Sequence, residues 1–163
     1  MTTAPLAVQD SWPELTCYGC GPANHHGFQL KSYEDGEALV ATVHPDERFN
    51  AGFAQVLYGG YIASVIDCHA MWTAMTAAYQ TEGRPLGSAP RIACVTGRLD
   101  VSYLRPTPLG VPIHLRGWIE GDVGPKMRVR VELGPEGAVT ATGSVIAVQY
   151  DLFRDPLARP AHP

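Results

Sequence analysis

Asp67 is the only acid in the run from Tyr61 to Tyr79, a stretch without Gly or Pro and apolar on nearly every side. Taking a lone carboxylate out of water is costly unless it is paired, protonated or used, and the run contains no Lys or Arg to pair with it. Ahead of it stand Gly59 and Gly60. Backbone N–H groups at a helix start have no partner within the helix, and no side chain covers them here, so the pair suits an anion or a developing oxyanion. Gly60, Ala63, Ser64, Ala70 and Met71 fall at helical spacings around Asp67, which leaves that side narrow enough for a slender ligand to slide along. The plain alternative is that the glycines permit a tight turn and Asp67 bonds a backbone group of another element.

Other reactive side chains fit less well. Cys68 and His69 adjoin Asp67, but consecutive helical residues point about 100° apart, so they do not form one constellation with it; a packed thiol and a core histidine are expected. Cys17 and Cys20 precede Asn24, His25 and His26, a spacing that matches no standard zinc pattern. The expectation is a turn-rich loop whose thiols pack, with no metal and no cofactor. His44, Arg48 and Gln55 lie in the irregular stretch leading into the helix, where a loop can line a site. Arg105, just before Pro106 and Pro108, is a candidate for holding phosphate, whereas Arg98, Lys126 and Arg128 read as solvated strand-face charges.

The elements that would position these residues follow from periodicity. Phe28 to Tyr33 and Ala38 to Val43 flank the Asp35-Gly36 turn signal and predict a hairpin. The helix from Tyr61 to Tyr79 comes next, then Gln80 to Pro90, broken by Gly83, Pro85, Gly87 and Pro90 and suited to a mobile flap. Four strands follow, over Arg91–Tyr103, Val111–Glu120, Lys126–Leu133 and Val139–Tyr150. In the third, Met127, Val129, Val131 and Leu133 alternate with Lys126, Arg128, Arg130 and Glu132, so one face is core and the other wet. A helix apolar all round needs a sheet wrapped around it, which predicts an α+β fold with a curved antiparallel sheet of about six strands around one long central helix.

A chain of 163 residues with a net charge of −4 and no basic stripe reads as one domain and argues against a nucleic-acid binder. Residues 1–16 read as an arm, with Trp12 and Leu15 anchoring it, residues 17–153 as the domain, and residues 154–163, with three prolines, as a loose tail. The opening residues lack the basic start and apolar run of a secretory signal. Asp67 and His69 make the helix unsuited to a membrane span. The expectation is a cytoplasmic protein with reduced thiols.

The two glycines, an alanine, and an acid eight residues after the first glycine resemble the central-helix signature of hotdog-fold acyl-CoA thioesterases of the phenylacetate-pathway type. Cys17-Tyr18-Gly19-Cys20-Gly21-Pro22-Ala23-Asn24-His25-His26-Gly27 is similar to the Cys-x-x-Cys-Gly opening of one branch, and Leu104 to Gly110 to the strand end after the helix. The resemblance implies a homodimer, and in many relatives a tetramer, in which paired subunits place the active sites between their helices. It further implies that Gly59 donates its N–H to the thioester carbonyl of an acyl-CoA or carrier-bound acyl group, and that Asp67 acts as general base or nucleophile. Tyr58, Gly60, Tyr61, Ser64, Gln55 and Arg105 are the substrate-binding candidates that go with this reading. The chain departs from the family in two places: Tyr58 stands where a His usually precedes the glycines, and Met71 where some relatives carry a hydroxyl. Tyr58 keeps open a non-catalytic acyl-CoA-binding hotdog protein, and an enzyme acting on a non-thioester intermediate is a third possibility.

Overall fold

The computed structural model describes residues 6–151. One helix, α1 (Gly59–Thr81), packs against a six-stranded sheet. The strands are β1 (Ser32–Asp35), β2 (Ala38–Val43), β3 (Cys94–Tyr103), β4 (Ile113–Glu120), β5 (Lys126–Gly134) and β6 (Ala141–Gln149). Their order across the sheet is β1-β2-β4-β5-β6-β3, and every neighbouring pair is antiparallel. This is the hotdog arrangement, with β3, the strand that follows the helix, at one open edge.

The alternation read in β5 holds: Met127, Val129, Val131 and Leu133 are buried against the helix while Lys126, Arg128 and Glu132 face water. Close approach of helix to sheet depends on two glycines in one row, since Gly117 of β4 pairs with Val131, which pairs with Gly143 of β6. A Cβ at Gly117 would lie 2.6 Å from Thr73 Oγ1, and one at Gly143 would lie 2.4 Å from Ile66 Cγ2. The row is therefore a trough into which α1 settles, bringing Ile66, fully buried, onto the sheet.

A buried chain of polar groups fixes the rotation of the helix. Ser32 Oγ lies 2.8 Å from His69 Nδ1, and His69 Nε2 lies 3.1 Å from the Leu39 carbonyl, so the neutral ring accepts from the serine and donates to the backbone. Gln9 Nε2 donates to Ser32 Oγ, and Gln9 Oε1 accepts from Ser32 N. Burial pushes the His69 imidazolium down to a pKa of about 4. Both ring nitrogens are satisfied, as a core histidine requires, and with His69 turned inward Asp67, two residues earlier and about 200° around the helix, faces outward.

Several local expectations change. Phe28 to Lys31 is not strand, because Gln29 takes a left-handed φ of 56°, so β1 begins at Ser32. β3 begins at Cys94, three residues later than expected, and its register with β6 shifts between Thr96 and Arg98. The segment after α1 is a pinned turn and not a flap: Tyr79 Oη donates to the Ser88 carbonyl and accepts from Ile92 N, while Arg84 donates to Ser88 and to the Pro90 carbonyl. Before Cys17, a 3-10 turn at Val8–Ser11 seats Gln9 in the core, Leu15 packs on it, and Arg91 lies 4.7 Å over the Trp12 ring. The tail expected from Arg154 onward lies outside the described residues.

α1 is not buried all round. Gly60, Ala63, Ser64, Asp67 and Met71 form a half-exposed stripe, whereas Ala70, expected beside them, is turned fully into the core. Among the described residues no helix is long and apolar enough to cross a membrane.

Candidate active site

The half-exposed stripe exists because α1 lies on the sheet by its other side. Asp67 sits on this stripe. Its Oδ1 accepts a hydrogen bond of 2.6 Å from Thr96 Oγ1 on β3, at the register shift that turns Thr96 toward the helix. Burial, the dominant influence, raises the carboxyl above the ordinary carboxylate range; the Thr96 bond pulls it back, and charge on Cys17 adds to the rise. A carboxylate with raised basicity and one hydroxyl partner is suited to take a proton from water or to attack a carbonyl.

At the start of the helix, Tyr58 occupies the N-cap position in extended backbone and gives no side-chain cap. The first helical bond from this end is Ile62 N to the Tyr58 carbonyl, so no described residue accepts from the N–H groups of Gly59 or Gly60. Tyr58 folds its ring back over the glycines: a Cβ at Gly60 would lie 2.5 Å from the ring and its hydroxyl. Tyr103, at the end of β3, lies against the other side, and its Oη donates to the Gly59 carbonyl at 2.8 Å. Burial, and then the neighbouring Tyr58, raise the Tyr103 hydroxyl. Two exposed tyrosines thus flank the free N–H groups.

The remaining candidates are dispersed. Ser64 donates its hydroxyl to the Gly60 carbonyl at 2.8 Å, which ties it to its own helix. Tyr61 is buried in an aromatic cluster, 4.7 Å from Phe28 and 4.9 Å from Phe49, and burial raises its hydroxyl to about 12. It borders a hollow of about 310 Å³ shared with Tyr18, His26, His44 and Arg48. Gln55 points its side chain to solvent from a loop that is pinned to the Pro106–Pro108 turn, where Leu109 N donates to its carbonyl and Leu57 N to that of Thr107. Arg105 is exposed on that turn, and its guanidinium bonds no described residue. The turn therefore flanks the segment that enters α1, with Arg105 free to meet an anion.

The structure brings Asp67 to Thr96, and Tyr58 to the glycine pair and Tyr103. It does not bring Gly59 to Asp67: eight residues of helix separate them by about 12 Å along the axis. Thr96 and Tyr103 were not singled out in the sequence. Both lie in the strand after the helix, and only the antiparallel return of β3 along α1 places them; the one sequence signal is a hydroxyl residue at each end of that strand.

No protein-family model and no curated protein matches the chain. Among solved structures it is similar to a thioesterase superfamily protein from Shewanella loihica, with 35% identity and a TM-score of 0.59 over 79% of this chain and 97% of that one. The PaaI protein of the Escherichia coli phenylacetic acid degradation operon matches at 13% identity and a TM-score of 0.61, covering 76% of this chain and 81% of that one. A Streptococcus mutans protein bound to acetyl-CoA matches at 14% identity and a TM-score of 0.60, covering 74% and 88%. The latter two share the fold.

Proposed function

The chain belongs to the hotdog-fold thioesterase superfamily, and from that premise we propose that it hydrolyses the thioester of an acyl-CoA or related carrier-bound acyl group. The observation that carries the proposal is Asp67: a half-buried acid with raised basicity on a stripe otherwise free of charge, on the same helix as the uncommitted Gly59 and Gly60 N–H groups. Both parts of an acyl-transfer site are on hand, a base or nucleophile and an oxyanion donor.

They cannot serve one thioester within one chain. A donor sits about 3 Å from the oxyanion, and the attacking group or its water lies close to the same carbon, whereas Gly59 and Asp67 are about 12 Å apart. Two chains related by a two-fold axis, with their α1 stripes face to face and antiparallel, bring Gly59 of one chain opposite Asp67 of the other. The open edge of β3, with Val95 and Tyr103 exposed on it, supports such pairing, since an unpaired edge strand invites a second copy. Gly59 then holds the carbonyl, Tyr58 and Tyr103 wall the acyl thioester, and Asp67 from across the interface activates water or attacks directly. Arg105, on the rim, meets the phosphates of the coenzyme. The acetyl-CoA complex of the Streptococcus mutans protein supports coenzyme A as the carrier.

Release of free thiol over a panel of short, long and aromatic acyl-CoAs tests the reading, with Asp67→Asn beside the parent. The amide retains an oxygen to accept from Thr96 but cannot act as base or nucleophile, so loss of at least about a hundredfold in rate is expected. Near-parental turnover in Asp67→Asn would remove Asp67 from the chemistry, and no turnover of any thioester by the parent would reject the activity.

A further inference from the structure

The loop before the sheet and the middle of α1 bring three thiols together. Cys17 Sγ lies 3.7 Å from Cys68 Sγ, and the sulfurs of Cys17, Cys20 and Cys68 all lie within 4.8 Å of one another. In a tetrahedral zinc–thiolate centre with Zn–S bonds of about 2.3 Å, neighbouring sulfurs sit about 3.8 Å apart. The Cys-x-x-Cys pair by itself lacked ligands at a zinc spacing; the fold supplies the third from the helix, some fifty residues further along the chain.

The surroundings are built for sulfur ligands. The backbone N–H groups of Gly19 and Cys20 are directed at Cys17, and Trp72 Nε1 donates to Cys20 Sγ at 3.3 Å. Donors on the sulfurs are what hold thiolate ligands in orientation. The loop has little freedom to move them: a Cβ at Gly19 would lie 2.3 Å from Cys68 Sγ, and one at Gly21 would lie 2.4 Å from Cys17 N. Gln29 Nε2 fastens the same loop through the carbonyls of Gly21 and Asn24.

We propose that Cys17, Cys20 and Cys68 form a three-thiolate site for a thiophilic divalent cation of the zinc class. Binding displaces the thiol protons of the ligating cysteines, which leave to solvent. The fourth position falls to a ligand from solution, because Cys17 is partly exposed and no described His, Asp or Glu joins the cluster. A disulfide between Cys17 and Cys68, the nearest pair, would leave Cys20 and its Trp72 N–H donor unexplained.

The reduced, chelator-treated parent protein should take up one equivalent of Co2+ per chain, giving thiolate-to-cobalt charge-transfer absorption that Zn2+ abolishes, and its melting temperature should rise with added Zn2+. Cys17→Ser, Cys20→Ser and Cys68→Ser should each weaken uptake at least about tenfold, while Cys94→Ser, altering a cysteine outside the cluster, leaves it unchanged. Since the parent titration needs no variant to fold, it decides first. No charge-transfer band in the reduced parent overturns the site, as does an affinity for Co2+ that is unchanged in Cys68→Ser or weakened in Cys94→Ser. Isolation of a Cys17–Cys68 disulfide form that takes up no metal once reduced would equally count against it.

Discussion

Thr96 Oγ1 donates to Asp67 Oδ1 at 2.6 Å, and no other described residue gives this carboxylate a hydrogen bond. The bond lowers a carboxyl that burial raises, so Thr96 tunes the acid. Thr96→Val keeps the shape and deletes the donor, leaving burial unopposed. The acid limb of the pH dependence of kcat/KM should move to higher pH, with the rate on the alkaline side much less affected. An unmoved limb would mean that Thr96 does not tune the titrating group.

His69 gives the fold an acid limit. Its folded pKa of about 4 lies below the ordinary 6.5, so the unfolded chain takes up a proton that the folded chain refuses. The stability tied to the neutral ring is complete above pH 6.5 and is lost as pH falls toward 4. For a fully buried group the gap is worth on the order of 3 kcal/mol. His69→Gln should be less stable at neutral pH, since Gln cannot both accept from Ser32 and donate to Leu39 in the same geometry, yet its melting temperature should fall less steeply between pH 7 and 5. Parallel curves for variant and parent would place the acid sensitivity elsewhere.

The helix, the succession of elements along the chain and the core face of β5 were legible because period and polarity agree there: Met127, Val129, Val131 and Leu133 have no other face to turn. The stripe on α1 was legible only in part. Ala70 looks as well suited to it as Ala63, but the trough at Gly117 and Gly143 and the bonds of His69 set a rotation that local sequence does not encode. Thr96 lay beyond reach for a related reason, since a register shift between Thr96 and Arg98 decides which way that hydroxyl points. The Cys17–Cys68 contact joins residues whose meeting depends on how the loop closes over the helix, and spacing within the first motif carries no trace of it.

Arg105 is held on a turn by its own N–H to the Thr140 carbonyl, and by Thr107, whose Oγ1 lies 2.7 Å from Thr140 Oγ1. The turn is anchored and the guanidinium free, which suits a phosphate and gives little to the fold. Arg105→Ala should weaken binding of coenzyme A several-fold with little change in melting temperature, and the parent's affinity should fall with added salt more steeply than the variant's. Equal affinities, or equal salt slopes, would take Arg105 out of the binding site.

Gly59 can be tested by removing one hydrogen. It is the first residue of α1, a position where proline is tolerated because the N–H has no helical partner. Tyr58 before it has φ −61° and ψ 128°, backbone that suits a residue preceding proline, and a Cβ at Gly59 would meet the Tyr103 ring at an ordinary 3.4 Å. Gly59→Pro should therefore fold and dimerise yet lose the oxyanion donor, lowering kcat by about a hundredfold or more. If each site joins Gly59 of one chain to Asp67 of the other, a heterodimer of Gly59→Pro and Asp67→Asn contains one site with both defects and one with neither. Mixing the two inactive proteins under conditions that exchange subunits should then restore up to half the parental activity per heterodimer. Complementation that fails although mass spectrometry shows heterodimers would place both groups of a site in the same chain, and an active monomer at high dilution would dismiss the shared site altogether.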